Sequence, residues 1–208
     1  MKILDKNNIL KELDDENGVS IELGCGTRKR LDNSIGIDAI NYSNVDIVGD
    51  VIEVLKKFPE SSVNFVHSHH FISHLEDLSV LMSELERILM VGATVEFIAP
   101  HFSNPYFYSD PTHRKFLGLY TFCYYMESSL FSRKVPIYGR KYKFILETVD
   151  LVFKSPRPFY FRYAIRRFFG VLFNFNKYTK EFYEENLVYF VSCYEIKYLF
   201  KKIRNQNQ

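Results

Sequence analysis

The chain has 208 residues, of which 47% are hydrophobic, 17% aromatic and 25% charged. This size and composition suit one globular domain with a sizeable core, so we expect a single domain over residues 1–208. The 27 basic and 25 acidic side chains leave a net charge of +2, which excludes the strong positive field expected of a protein that captures nucleic acid.

The cysteine content and the hydropathy pattern indicate a cytoplasmic protein. Cys25, Cys123 and Cys193 are too few and too far apart for a disulfide framework or a zinc site. The first 18 residues contain no continuous apolar run, and no stretch of about 18 apolar residues follows. We therefore expect neither a secretory leader nor a membrane-spanning segment.

The first half of the chain alternates short apolar strands with helices. Residues 1–16 are predicted to form a short charged helix. Apolar residues recur at three- and four-residue spacing in the clearest helix, 77–90, which Gly92 is predicted to end. The alternation predicts a doubly wound α/β fold with a mostly parallel sheet covered on both faces. Its first strands are expected at 19–23, 34–38, 45–48, 62–66 and 93–99, with a further helix at 51–58.

The second half is less regular. Residues 100–190 are expected to supply loops and helices on the substrate side of the domain. They begin with a polar, aromatic loop at 100–114 and continue with a strand at 141–153. Helical segments over 160–188, broken around 174–177, are followed by a predicted final strand at 192–203.

Polar residues follow the predicted strands where each one ends. Parallel sheets bind ligands at the carboxyl ends of their strands, so these residues are expected to converge on one site. They are Glu22 to Gly26, Asp38, Asp50, Ser68 to His70, and His101.

The turn Glu22-Leu23-Gly24-Cys25-Gly26 is the first candidate ligand-binding motif. Its glycines allow a tight turn and close approach of the backbone to a ligand. A dinucleotide fingerprint would need a third glycine at Lys29, and the Gly-Lys-Ser/Thr ending of a phosphate loop is absent. An ordinary strand-to-helix turn remains the alternative.

Two aspartates extend this candidate site. Asp38 is placed to accept both hydroxyls of a ribose, as the acidic residue of dinucleotide sites does, or else it is a solvated turn residue. Asp50 is placed to accept a hydrogen bond from the exocyclic amine of adenine, or to cap the helix that begins at Val51. Capping and ligand contact are compatible.

These residues carry a resemblance to class I S-adenosylmethionine-dependent methyltransferases. The chain is most similar to a small branch often found with cell-surface polysaccharide genes. The most branch-specific piece is Asp-Pro-Thr-His at 110–113. The resemblance extends over nearly the whole chain and is weakest over 127–160. It is carried by the segments IELGCGTRKRLDNSIGID, VDIVGD, VNFVHSHHFISHL, SELERILMVGATVEFIAP, HFSNPYFYSDPTHRKF and EFYEENLVYFVSCYEIKYLFKK.

The resemblance implies a seven-stranded Rossmann-like sheet whose last strand is antiparallel, and S-adenosylmethionine as the cofactor. It implies that Glu22, Gly24, Cys25 and Gly26 line the methionine part and that Asp38 holds the ribose. It further places Asp50 and Val51 at the adenine, and Ser68 and His69 beneath the sulfonium. The expected reaction is methyl transfer to a hydroxyl of a sugar in a surface glycan or its precursor.

The sequence departs from the family pattern at several positions. Ser73 replaces the usual glutamate after the fourth strand, which matters if that carboxylate has a catalytic or cofactor-orienting role. The third glycine of the first motif is replaced in the Thr27-Arg28 region. The usual Lys-Pro-Gly-Gly turn is Met90-Val91-Gly92-Ala93. A non-catalytic binding module and a methyltransferase of a small metabolite or lipid remain alternatives.

A hydroxyl acceptor would gain from a general base, and histidine suits that role near neutral pH. Five of the six histidines fall in 69–113. We predict His101 or His113 as the base, with Asp110 as its orienting partner or as the base itself. No metal site is expected, because His70 and His74 lack the glutamate of the zinc-protease motif.

Residues 156–180 combine Phe and Tyr with several Arg side chains. Such a segment suits an interfacial helix on a membrane, or stacking on single-stranded nucleic acid. Because the net charge is near neutral, nucleic acid is not expected as a partner. A cover over the sheet edge or a homodimer contact is the favoured interpretation.

Overall fold

The computed structural model describes residues 2–13, 18–155 and 158–204. They form one eight-stranded sheet with helices on both sides. The strands are β1 (Leu4–Asp5), β2 (Val19–Leu23), β3 (Ile35–Asp38), β4 (Ile47–Val48), β5 (Val63–His69), β6 (Leu89–Pro100), β7 (Phe144–Val152) and β8 (Glu195–Lys202). The helices are α1 (Ile9–Glu12), α2 (Val51–Leu55), α3 (Leu78–Ile88), α4 (Tyr160–Asn174) and α5 (Lys177–Phe182).

The strand order is β1-β4-β3-β2-β5-β6-β8-β7. Strands β4, β3, β2, β5 and β6 are parallel, whereas β8 is antiparallel to both of its neighbours, β6 and β7. The predicted Rossmann-like α/β fold with an antiparallel last strand is confirmed. The sheet has eight strands rather than seven, because β1 adds an antiparallel edge strand beside β4.

Burial on both faces explains the apolar character of the central strands. Ile21, Val66, Val95 and Phe97 are all fully buried, as expected of strands covered on both sides. Helix α3 covers one face with the periodic residues that predicted it, including Leu81 and Leu85.

The N-terminal segment differs from the predicted helix over 1–16. Residues 4–5 form β1, and only Ile9–Glu12 are helical, while residues 1 and 14–16 lie outside the described residues. The Asp5 carboxylate accepts hydrogen bonds from the backbone N–H groups of Ile9 and Leu10. Helix α1 therefore begins shortly after Asp5, whose position strand pairing already fixes.

The end of α3 corrects the prediction for Gly92. The helix ends at Ile88, and Leu89 already pairs with Val63 of β5. The carbonyl groups of Glu86 and Leu89 accept hydrogen bonds from the ammonium group of Lys202. A side chain from β8 therefore satisfies carbonyls at this helix end. Gly92, with φ +89°, lies instead in a bulge of β6.

The irregular second half follows its predicted outline. Helix α4 is separated from α5 at Phe175 and Asn176, and a π-helical turn continues α5 over Tyr183–Leu187. Residues 156 and 157 of the predicted aromatic segment lie outside the described residues. None of the helices within the described ranges combines the length and apolar character needed to cross a bilayer.

Candidate active site

The turn after β2 is tightly shaped around its two glycines. Gly24 and Gly26 both have left-handed backbone angles, with φ of +65° and +60°. A Cβ atom at Gly24 would lie 2.5 Å from Cβ of Phe71, so only glycine fits there. A Cβ atom at Gly26 would have no atom within 4 Å. The turn is thus packed against the protein at Gly24 and faces open space at Gly26.

Glu22 supports this turn from inside. Its side chain is 2% exposed, and one carboxylate oxygen accepts the backbone N–H groups of Arg30 at 2.8 Å and Leu31 at 3.2 Å. A buried carboxylate needs such partners. The hydrogen bonds fix the path of the chain after the turn, which brings the Arg30 side chain to the carboxyl edge of the sheet.

Asp38, at the end of β3, is tied directly to the same turn. Its Oδ2 accepts the Gly26 N–H at 2.8 Å, and its Oδ1 accepts the Ile40 N–H at 2.8 Å. Each carboxylate oxygen can accept a further hydrogen bond. The partly exposed carboxylate is therefore held rigidly and retains capacity to accept further hydrogen bonds.

Cys25 lies in the same turn, and its side chain is buried. Burial, together with the negative charges of Asp38 and Glu22, raises the pKa of its thiol to about 12. The side chain is consequently a neutral thiol at physiological pH, and it is unsuited to act as a nucleophile.

Asp50 and Val51 stand at the end of β4. The Asp50 side chain accepts the Glu53 N–H at 3.0 Å and so caps α2, as one of the two sequence interpretations required. Asp50 remains exposed, and Val51 is buried beside it. Gly49 donates its N–H to the Asp38 carbonyl, which joins this strand end to the ribose candidate.

Ser68 and His69 close β5, next to the glycine turn. Ser68 is fully buried, and its hydroxyl has no hydrogen-bond partner among the described residues. The Arg30 guanidinium lies 3.1 Å from Nδ1 of His69. Burial, with the neighbouring His70 and Arg30, lowers the pKa of His69 to about 4. Because arginine can only donate, His69 is neutral and accepts at Nδ1.

A cleft of about 1030 Å³ opens beside His69. The ends of β5 and β7, the start of β8 and one side of α4 form its walls. Its polar lining includes Arg30, His69, His70, Lys154, Arg167 and Glu195. Arg30 and His69 belong both to this cleft and to the surroundings of the glycine turn. The two halves of the candidate site therefore meet at these side chains.

Within the cleft, His70 is paired with a buried acid. Its Nε2 lies 2.9 Å from Oε1 of Glu195, and the other oxygen of Glu195 contacts Lys154. Burial would raise the pKa of Glu195, but its hydrogen bonds to His70 and Lys154 prevail and lower it to about 2. The permanently charged carboxylate orients the His70 ring, whose side chain is 35% exposed.

His101, predicted as a base, is fully buried. Its Nδ1 accepts the Ser103 N–H at 3.1 Å, so Nε2 carries the proton and donates to Glu184 at 3.1 Å. Glu184 also accepts the Leu119 N–H. These bonds tie the loop after β6 to the π-helical turn. The catalytic role of His101 remains a prediction, and this position favours a structural role.

His113 and Asp110 lie together in the loop after β6. The His113 ring stacks on Phe107 at 4.7 Å, and its Nε2 is 3.9 Å from Oδ2 of Asp110. Hydrogen bonds from Thr112 lower the pKa of Asp110. Neither His113 nor Asp110 lines the cleft. Their catalytic role thus stays a prediction, and neither residue contacts the candidate acceptor space.

Ser73 occupies the position of the missing glutamate. It is fully buried, and its hydroxyl has no hydrogen-bond partner within the described part of the chain. Its carbonyl accepts the N–H groups of Arg114 at 2.7 Å and Lys115 at 3.1 Å. This position therefore fastens the loop after β6 through backbone contacts that do not depend on the side chain.

Sequence reasoning did not select His70, Glu195 or Lys154 as catalytic candidates. His70 follows β5 and was recognised only as one of several strand-end residues. Glu195 begins β8, and an antiparallel strand brings its first residue to the edge where parallel strands end. An acidic residue at the start of the predicted antiparallel strand was therefore the available signal.

Residues 21–97 match the family model of a methyltransferase domain, and this region contains the glycine turn, Asp38 and His70. No curated protein sequence matches the chain.

Three solved structures show the shared fold. A SAM-dependent methyltransferase from Archaeoglobus fulgidus gives a TM-score of 0.57 at 18% identity, over 94% of this chain and 90% of that one. The methyltransferase bound to the Haloferax volcanii Trm112 activator gives 0.54 at 13% identity, over 96% and 89%. Haemonchus contortus phosphoethanolamine N-methyltransferase 2, solved with phosphomonomethylethanolamine and S-adenosylhomocysteine, gives 0.53 at 15% identity, over 94% and 51%.

Residues 21–97 thus resemble a methyltransferase domain, and the described residues share the fold of solved S-adenosylmethionine-dependent methyltransferases.

Proposed function

We propose that this protein transfers the methyl group of S-adenosylmethionine to a hydroxyl of a sugar, in a surface glycan or its precursor. The observation that carries the proposal is the junction between the Gly24–Gly26 turn and the polar cleft. Arg30 donates its backbone N–H to Glu22 next to the turn, its guanidinium contacts His69, and both residues line the cleft. A methyl donor bound at the turn would thus face an acceptor in the cleft.

The residues at the glycine turn fit the cofactor. Open space in front of Gly26 leaves room for the methionine part, with Glu22, Gly24 and Cys25 shaping the turn. Asp38 retains acceptor capacity for the ribose hydroxyls. Asp50 and Val51 would frame the adenine, and Ser68 with His69 would lie beneath the sulfonium. When bound, the cofactor supplies a sulfonium methyl group that is intrinsically reactive toward a nucleophile.

His70 is the base that the geometry favours for a hydroxyl acceptor. Its Nε2 is engaged by Glu195 at 2.9 Å, which leaves Nδ1 to accept a proton. The negative charge of Glu195 would stabilise the imidazolium that forms as the acceptor oxygen loses its proton. The rest of the site has to align that oxygen with the methyl group, and such positioning is worth about 7–11 kcal/mol in favourable cases.

The charges of the cleft support an anionic sugar derivative as the acceptor. Arg30, Lys154 and Arg167 line it, while Glu195 is already paired with His70 and Lys154. Arginine binds phosphate oxygens in a bidentate manner. A sugar joined to a nucleotide diphosphate or to a lipid phosphate would satisfy these groups.

Calorimetric titration with S-adenosylhomocysteine, alongside NAD, tests the cofactor assignment. We expect micromolar affinity for the former and no heat from the latter, because the turn lacks the third glycine of dinucleotide sites. Binding without methyl transfer to any sugar phosphate would favour a non-catalytic binding module. Absence of S-adenosylhomocysteine binding to the folded protein would contradict the proposal.

The outer face of α4 supports a membrane-linked acceptor. Tyr160, Phe161 and Phe168 are exposed by 69%, 81% and 62%, and only Phe173 of the helix is buried. The helix carries three arginines and no acidic residue. This composition is typical of helices that lie on anionic membranes. The prediction that this segment covers the sheet edge therefore applies only to the side of α4 around Phe173.

We expect the protein to float with phosphatidylglycerol vesicles and not with phosphatidylcholine vesicles. Phe161→Ser combined with Phe168→Ser should reduce the floated fraction several-fold, since each removes apolar area that would enter the interface. Val91→Ser, at an exposed apolar residue on β6, is the matched control. Flotation that is absent, or unchanged in the double variant, would contradict membrane contact. A dimer lost in that variant would instead identify a homodimer face.

A further inference from the structure

Three side chains from two segments meet outside the cleft. His74 comes from the short 3-10 turn after β5, whereas Asp110 and His113 come from the loop after β6. One ligand atom from each lies within 4.8 Å of those of the other two. Two imidazoles and one carboxylate form the donor set that first-row divalent metals accept.

Hydrogen bonds fix which nitrogen of each ring is available. Nδ1 of His113 donates to the Phe107 carbonyl at 2.8 Å, because a carbonyl can only accept. Thr112 donates its hydroxyl proton to Asp110 and so accepts from Nδ1 of His74 at 2.9 Å. Both rings thus carry their proton on Nδ1. Among the described residues, neither Nε2 takes part in a hydrogen bond.

This arrangement has the outer support that metal-binding histidines need. A ligating imidazole usually donates its other N–H to a carbonyl, a carboxylate or a similar acceptor, which fixes the ring and its tautomer. Phe107 and Thr112 provide that support here. Thr112 also holds Oδ1 of Asp110, through its hydroxyl at 2.6 Å and its N–H at 2.9 Å, and leaves Oδ2 directed near His113.

We propose that His74, Asp110 and His113 bind a first-row divalent transition metal ion, through Nε2 of each histidine and Oδ2 of the aspartate. The ion would join the loop after β6 to the turn after β5. Three protein ligands leave coordination positions open, and the exposure of Thr112 lets water fill them. Sequence spacing did not indicate this site, because its two histidines are 39 positions apart.

The second histidine cluster is a poorer candidate. One ligand atom from each of His69, His70 and Glu195 also lies within 4.8 Å of those of the other two. There, however, Lys154 contacts Glu195, and Arg30 occupies Nδ1 of His69. A divalent cation would have to displace or tolerate both positive charges. No lysine or arginine of the described residues forms an ion pair with Asp110.

The test is titration of chelator-treated protein with Zn²⁺ by calorimetry and with Co²⁺ by visible absorption. Asparagine places its amide nitrogen where histidine has Nδ1, so His74→Asn and His113→Asn keep the supporting hydrogen bonds and remove Nε2. Asp110→Asn keeps an acceptor for Thr112 and removes the charge. His70→Asn, in the other cluster, is the matched control.

We expect one ion per chain in the wild type and a loss of affinity above about 100-fold in each of the three cluster variants. Loss of an outer partner alone costs about 10–100-fold, so loss of a ligand should exceed it. His70→Asn should bind as the wild type does. Absence of stoichiometric binding, wild-type affinity in any of the three cluster variants, or loss confined to His70→Asn would overturn the proposal. The readout is independent of S-adenosylhomocysteine binding, so it succeeds or fails separately from the proposed function.

Discussion

Replacement of His70 by asparagine should lower methyl transfer by about 10²–10⁴-fold, the usual contribution of a general base. Asparagine suits the test because His70 has a left-handed backbone with φ +60°, which asparagine tolerates better than most residues. The affinity for S-adenosylhomocysteine should be retained, since His70 lines the acceptor cleft rather than the glycine turn. Release of S-adenosylhomocysteine is measured with nucleotide diphosphate sugars and lipid-phosphate sugars as acceptors.

Two further variants show whether the base is His70 or the residues favoured by sequence. Glu195→Gln removes the charge that would stabilise the His70 imidazolium and should also reduce turnover, by a smaller factor. His113→Asn keeps the hydrogen bond to Phe107 and should retain more activity than His70→Asn. Full turnover in His70→Asn, with a loss in His113→Asn, would return the catalytic role to His113 and Asp110.

Asp38→Ala should weaken S-adenosylhomocysteine binding by about 10²–10⁴-fold. Each hydrogen bond to a charged group contributes about 1.5–3 kcal/mol. The hydrogen bonds from two ribose hydroxyls would be lost together. A loss of 1.4 kcal/mol corresponds to a tenfold change in affinity. Calorimetry of the variant beside the wild type measures the difference.

The control for this experiment is Asp32→Ala, at an exposed position between the glycine turn and β3. It should bind as the wild type does. Asp38 also holds the N–H groups of Gly26 and Ile40, so thermal unfolding of the unliganded variant is recorded in parallel. Wild-type affinity in a folded Asp38→Ala protein would contradict the ribose assignment. A variant that does not fold is replaced by Asp38→Asn, for which we expect weakened binding as well.

The cofactor half of the candidate site was the part most accessible to sequence reasoning. The Gly24–Gly26 turn, Asp38 and Asp50 lie at the ends of predicted strands, and a parallel sheet brings such ends together whatever the detailed packing. The capping role of Asp50 followed from its place before an apolar helix. Local pattern and one topological rule were therefore enough to place these residues at one edge of the sheet, while their cofactor-binding roles stay predictions.

The acceptor half depends on contacts between residues far apart in sequence. The pairing of His70 with Glu195 spans 125 positions, and that of His101 with Glu184 spans 83. Histidine content alone did not distinguish an accessible ring from a buried one. The prediction that Gly92 ends α3 was wrong for a related reason. Lys202, in the last strand, donates hydrogen bonds to carbonyls at the end of this helix.

The position of β8 has a consequence for how the molecule assembles. Among the described strands, β7 pairs only with β8, which is inserted between it and β6. During synthesis, strands β2 to β6 can therefore pair as they emerge, while β7 must wait for residues 195–202. The strands around the glycine turn are contiguous in the first half of the chain, whereas the wall of the cleft formed by β7 and β8 is complete only when the chain returns to the middle of the sheet. We therefore expect the sheet around the glycine turn to form first and Glu195 to join it last.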